Sequence, residues 1–342
     1  ETKIMFKMLF TLFIVLPLFA GEIGLNLSIE TRYDSNVSIL GPGEINEFNE
    51  LKKPENKYGI KSVNDFIYLP AVELRYLWGI SGYKVLNGFN LRFNLFSANG
   101  MKNYGKLGAF IRISRFNDNV EIAYSYIPFA NYRKFFDPDS GRYEWASYTS
   151  NKLILKFTHG YSKKFNFNIL FSNELRNYSN TFYEYNYTMP ELTTYFEIGF
   201  IPTISRLGFS YGALKAQGYD NSNETRENSN EEDISRNEWN FFINILPLDM
   251  NGWKILGEVA YSIQDYTSQK DPSLDPLHRD RSDKILSLSL MGLIQVARNT
   301  NVTIGSEYFT RKSHSLHYVS IGNLKNYSRF IFYFKVNHKV YR

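Results

Sequence analysis

The chain has 342 residues, with 39 Lys and Arg against 34 Asp and Glu and a formal net charge of +5, too mild a basicity to imply nucleic acid as a partner. It contains no cysteine, which excludes disulfides, thiolate metal sites, cysteine nucleophiles and a lipidated N-terminal cysteine. Hydrophobic residues make up 43% and charged residues 21%, so neither a disordered tail nor a coiled coil fits.

Lys3 and Lys7 precede the apolar stretch Met8–Ala20, and Gly21-Glu22 opens a polar alternation. A short basic region, an apolar core of about a dozen residues and a small residue at its end form a secretory signal. The run is too short to span a bilayer as a helix. The reading is therefore a cleaved signal peptide over residues 1–20 and a mature domain over 21–342. Past residue 20 no apolar run reaches the ~18 residues that a membrane-spanning helix needs.

From Gly21 onward the hydrophobic period is two. Ile23, Leu25, Leu27, Ile29 and Tyr33 share one face, and Glu22, Asn26, Ser28, Glu30, Arg32 and Asp34 the other. The same alternation runs through Val72–Ile80, Phe89–Leu95, Leu107–Ile113, Val120–Tyr126, Leu153–Phe157, Phe165–Phe171, Phe196–Phe200 and Leu207–Ala213. It continues through Trp239–Ile245, Trp253–Ile263, Leu286–Val296, Val302–Tyr308 and finally Phe330–Val336. About fourteen strands are predicted.

The connections alternate between long and short. Gly41–Asp65, Ser97–Lys106, Asn131–Glu144, Arg176–Glu191, Gly218–Asn237, Asp265–Asp283 and Thr310–Tyr327 are long and polar. Those near Ser81-Gly82 and at Asn117–Asn119, Gly160–Lys164, Pro202–Arg206, Pro247–Gly252 and Arg298–Asn301 are short. Short turns on one side, longer loops on the other and half-apolar strands predict an all-β, transmembrane, antiparallel up-and-down barrel. The excess of aromatics, 26 Tyr and 28 Phe, suits interfacial girdles. Tyr33, Trp78, Tyr124, Tyr126, Tyr195, Trp239, Trp253, Tyr261 and Tyr308 lie near the ends of apolar faces.

The polar faces carry both signs. Glu30, Arg32, Glu73, Arg75, Arg92, Arg112, Glu121, Glu197, Glu258 and Glu307 are the candidate lumen-lining residues, with Lys152, Lys156 and Lys335 on the same faces. Such charges either select a solute in a water-filled lumen or pair across strands in a filled one. Arg75, Arg92 and Arg112, on neighbouring strands, would make a basic ladder that Glu73 and Glu121 could partly neutralise. The five histidines show no nucleophile-elbow spacing, and His314 and His317 fall on a long loop. The acids of Glu224–Asp233 and Asp265–Asp283 follow no metal or catalytic template and read as solvent-exposed loops. No catalytic residue, metal site or cofactor is expected.

The terminal strand, Phe330-Ile-Phe-Tyr-Phe-Lys-Val to Val340-Tyr341, resembles the aromatic-alternating end of Gram-negative outer-membrane β-barrel proteins, although Arg342 follows where that family prefers a terminal aromatic. Tyr33-Asp34-Ser35-Asn36-Val37 is also similar to a first-strand motif in the barrel of surface-lipoprotein assembly modifiers, which usually carry a helical-repeat domain in front. The resemblance implies export to the bacterial outer membrane, insertion by the barrel-assembly machinery, and contact with outer-membrane lipid and lipopolysaccharide. The first strand begins too soon after the expected cleavage point for an amino-terminal hatch or plug. The expected function is a channel for passive passage of small polar solutes. An export or assembly barrel for a lipoprotein, polysaccharide or polypeptide, and an adhesive surface barrel, stand as alternatives.

Overall fold

The computed structural model describes residues 21–137, 140–162, 165–199, 204–220, 223–250 and 253–341, so the expected signal segment lies outside the described residues. It contains fourteen strands: β1 (Gly21–Asp34), β2 (Asp65–Ile80), β3 (Tyr83–Phe96), β4 (Tyr104–Arg115), β5 (Asp118–Asp137), β6 (Arg142–Ser162) and β7 (Phe165–Tyr178). The second half comprises β8 (Tyr187–Gly199), β9 (Ile204–Ala216), β10 (Arg236–Met250), β11 (Trp253–Tyr266), β12 (Arg281–Ala297), β13 (Thr300–Ser315) and β14 (Tyr327–Tyr341). Each strand pairs antiparallel with its sequence neighbours, and β14 pairs with β1 to close the barrel. Closure leaves no strand edge for lipid to meet.

Register shows how alternation builds the wall. Leu27, Val72, Leu91, Leu107 and Tyr126 stand opposite one another across β1 to β5, and opposed residues share a face. One position along, Asn337, Ser28, Ala71, Arg92 and Lys106 form the neighbouring row, which must face the other way. The first face is the outside, where large apolar side chains such as Leu74, Phe93, Ile243 and Leu290 are exposed. In water such a belt would be a severe liability, whereas in hydrocarbon it is what a spanning sheet requires.

The tight connections are made as local chemistry dictates. Between β2 and β3, Ser81 and Gly82 both take positive φ, 48° and 81°, the two-residue geometry that follows the strand twist. Among the described residues the long connections hold three short helices, α1 (Pro42–Glu50), α2 (Pro54–Tyr58) and α3 (Ile321–Lys325), and 3-10 turns at Gly100–Lys102 and Asn180–Tyr185.

Four expectations are corrected by the structure. First, Asn131–Glu144 is not a long loop, because β5 and β6 run on to Asp137 and from Arg142 as one projecting hairpin. Register shifts at Ile127/Ala130 and Asn131/Lys134 absorb the break in alternation, as bulges do. Phe135 from this extension packs on Phe182 and Tyr185.

Second, the acidic connections are solvent-exposed only in part, as at Asp265, Asp271 and Asp280. Asp233, Lys270, Asp275, His278 and Asp283 are buried. Asp275 accepts hydrogen bonds from the Asp233 backbone N–H at 3.0 Å and the Ser268 hydroxyl at 3.0 Å, and its other oxygen meets His278 Nδ1 at 2.8 Å. Lys270 Nζ donates to the Gly218 carbonyl at 2.6 Å and to the Glu231 carbonyl. The buried groups of these loops satisfy one another instead of water. With the apolar cluster Leu40, Phe48, Tyr58 and Ile60 they form a packed cap at the long-loop end.

Third, His314 lies in β13, opposite Ser282, while His317 Nε2 sits 2.8 Å from Asp280. Fourth, Tyr195 does not belong to an outer girdle, since it pairs with Gly208 on the inward face. A Cβ at Gly208 would come within 2.2 Å of the Phe242 ring, so the missing side chain makes room for inward rings at Tyr195 and Phe242.

Candidate functional site: the inner wall and the cavity beneath the cap

The pairing register carries all ten candidate residues to the same, inward side. Glu30 stands opposite Lys335, Arg32 opposite Tyr333, and Glu73 opposite Asn26 and Asn90. Arg112 opposes Glu121 and Leu86, Glu197 opposes Asn166 and Arg206, and Glu258 opposes Asn244 and Ser289, the latter opposite Glu307.

Several of these charges are neutralised where they stand. Arg32 Nε donates to Glu30 at 3.0 Å, and Arg75 Nε and Nη2 donate to Glu73 at 2.9 Å each. Arg112 Nε donates to Glu121 at 2.7 Å, and Arg206 Nε to Glu197 at 2.7 Å. The imagined basic ladder is thus reduced to one rung. Its members also stand at different heights: Arg75 faces Gly88 and Arg112 faces Leu86, whereas Arg92 is six residues along β3 from Leu86, about 20 Å of strand.

Arg92 opposes another cation, Lys106, and with Lys335 it lines a cavity of about 290 Å³. None of the three has an ion-pair partner among the described residues. Ser28 and Ala71 in the same row are small, which hollows the wall there. A second cavity of about 240 Å³, lined by Arg112, Glu121, Lys156 and Glu197, lies between β4 and β8.

Sequence reading missed the strongest cluster. Beneath the cap, Arg133, Arg176, Arg236, Arg281, Arg311 and Lys325 surround a cavity of about 200 Å³. Arg176 Nε and Nη2 donate to Glu174 at 3.2 and 2.7 Å, Arg236 Nε to Glu238 at 2.6 Å, and Arg281 Nε and Nη2 to Asp283 at 2.8 and 2.5 Å. Aromatic faces hold the same groups: Arg176 lies 4.3 Å from the Tyr148 ring centroid, and Arg281 4.4 Å from Tyr266, within cation–π range. The signal for these pairs was an acid and an arginine two residues apart on one strand, which places both on one face.

The cap contributes its own electrostatics. Burial, with Arg281 and Arg133 nearby, pulls the Lys325 ammonium down to about 8, against the opposing influence of Glu232 and Glu44. Burial, with Glu231, Glu232 and Asp220 close by, pushes the Glu184 carboxyl up to about 8. Burial also disfavours charge on Asp275, but His278 and the hydrogen bonds from Asp233 and Ser268 outweigh it and hold the carboxyl below its usual range.

No protein-family model matches the chain, and no curated protein matches it. Among solved structures, a loop L8 deletion mutant of OmpT, an outer membrane protein of Vibrio cholerae, shares 7% identity at a TM-score of 0.48, over 94% of this chain and 100% of that one. An anion-selective porin from Comamonas acidovorans shares 8% identity at 0.47, over 94% and 99%. OccAB3 of Acinetobacter baumannii shares 9% at 0.43, over 94% and 99%. These likenesses are distant, and the class rests on the chain's own geometry. Fourteen strands closed on themselves, apolar outside and charged within, make the protein an antiparallel up-and-down transmembrane β-barrel.

Proposed function

We propose that the protein resides in the bacterial outer membrane and is a gated, passive channel for small hydrophilic solutes. The observation that carries this reading is the change of chemistry across one sheet thickness. The strands that expose Leu74, Phe93 and Ile243 outward turn Glu73, Arg92 and Asn244 inward, and inward cavities open beside these charges. A barrel of about eight strands is filled by its own side chains, while larger ones leave an aqueous interior. The ten inward residues then line the passage, and Arg92, Lys106 and Lys335 bias it toward anions. An adhesive barrel would present its loops to partners, whereas this cap turns many polar loop side chains inward.

Planar-bilayer recording of the purified protein tests the reading, together with liposome swelling in sugars of graded size. Discrete conductance steps and a size cut-off are expected. Silence in both assays, for the parent and for a variant whose cap is forced open, would overturn it.

A further inference from the structure

Resting on the channel reading, the geometry points to a binding site beneath the cap for one compact oxyanion, a phosphate or a dicarboxylate, gripped between Lys325 of the cap and the arginines of the wall.

Six cations from six separate elements converge on this cavity: Arg133 on β5, Arg176 on β7, Arg236 on β10, Arg281 on β12, Arg311 on β13 and Lys325 on α3. Its lining holds one carboxylate, Glu232, which already accepts the Tyr185 hydroxyl at 2.5 Å. Carboxylates beside the cavity hold four arginines in place: Glu44 of α1, and Glu174, Glu238 and Asp283 on the arginines' own strands. Arg311 lies 3.9 Å from the same Asp283 carboxylate and is anchored through Nε, which donates to the Lys325 carbonyl at 2.6 Å. The forks are thus fixed before any ligand arrives, which spares the ordering cost of binding.

Lys325 is different. Its ammonium has no hydrogen-bond or ion-pair partner among the described residues, and a secluded charge without a partner is costly. An oxyanion would supply that partner and hold the amine's proton against the burial that lowers its pKa to about 8. The cavity of about 200 Å³ has room for a compact anion. Planar forks match carboxylate and phosphate oxygens bidentately. Because Lys325 belongs to α3 and the arginines to the wall, one anion would tie cap to barrel.

The test is isothermal titration of the full barrel in detergent with inorganic phosphate and, separately, with succinate; glycerol serves as the neutral control. One saturable site is expected for at least one anion, and the better of the two identifies the headgroup. Lys325→Gln should weaken it roughly tenfold to a hundredfold, the range for one charged hydrogen bond, whereas Lys325→Arg retains binding. Lys52→Gln, the same charge change on the outer surface, leaves binding unchanged. Far-ultraviolet circular dichroism verifies that each variant keeps its barrel. No saturable binding of either anion, or equal binding by the parent and Lys325→Gln, would overturn the site. Saturable, Lys325-dependent binding by a barrel that never conducts would uphold the site and remove the channel reading.

Discussion

Asp34, at the top of β1, grips Arg329 on β14 across the seam where the barrel closes. Arg329 Nε lies 2.9 and 3.1 Å from the two carboxylate oxygens, and Nη2 reaches the second. Asp34 is fully buried, and the same carboxylate caps the Asn36 backbone N–H at 3.0 Å. The strands that begin and end the described barrel wall are therefore joined by charge as well as by ladder hydrogen bonds. Removing one partner strands the other, at a cost of about 3–5 kcal/mol for a buried pair. Asp34→Ala should lower the urea midpoint of unfolding by a corresponding amount. Adding Arg329→Met should restore part of the loss, and equal unfolding of parent and Asp34→Ala would show that the seam does not depend on this pair.

Gly41 sets the distance between α1 and α3. A Cβ there would lie 2.5 Å from the Leu324 carbonyl oxygen and 2.7 Å from that of Asn323, closer than such atoms tolerate. Gly41→Val should push the two helices apart and loosen the cap while leaving the barrel strands intact. Open probability in a bilayer is expected to rise. A variant with the parent's gating would remove the cap from the gating account.

The lipid face makes a direct prediction. Ile243 is half exposed on the outer surface, and its neighbour Asn244 points inward and donates to Glu258 at 2.7 Å. An arginine at the bilayer midplane costs about 2–4 kcal/mol in such barrels. Ile243→Arg should reduce folding into lipid vesicles by that order, and Asn244→Arg, which gains Glu258 as a partner, by less. Reversal of this order in a vesicle-folding titration would invert the wall.

Glu184 gives the cap a pH dependence. Its carboxyl rises from 4.5 to about 8 in the folded protein, so the native state keeps a proton that the unfolded chain releases. The stabilisation is complete below about 4.5 and is lost as pH rises toward about 8. Proteolysis within residues 217–235 should therefore quicken between pH 5 and pH 8, and Glu184→Gln should flatten that rise. A parent profile already flat across this window would contradict the assignment.

Much of the wall was readable because a strand's two faces are written in consecutive residues. Leu27 beside Ser28, or Phe93 beside Arg92, needs no knowledge of distant chain to be placed. The cap was not readable for the opposite reason. The Asp233 N–H meets Asp275, Arg133 meets Glu44, and the Lys61 N–H meets Asn99. Each bond joins residues far apart in sequence, and alone each residue reads as an ordinary polar loop residue. Tyr195 was misplaced because its environment is set by Gly208 and Phe242 on other strands, and local alternation does not show a vacancy across a ladder.

The ion pairs made within single strands carry a consequence for biogenesis. Glu30 with Arg32, Glu73 with Arg75, Glu174 with Arg176, Arg236 with Glu238 and Arg281 with Asp283 need no second strand to form. Each travels with its own segment, so a nascent hairpin presents a compact dipole where it would otherwise drag two isolated charges past acyl chains. The closing contact of Asp34 with Arg329 cannot form until β14 returns to β1. Neutralisation within a strand therefore does not wait for closure, whereas the seam pair does.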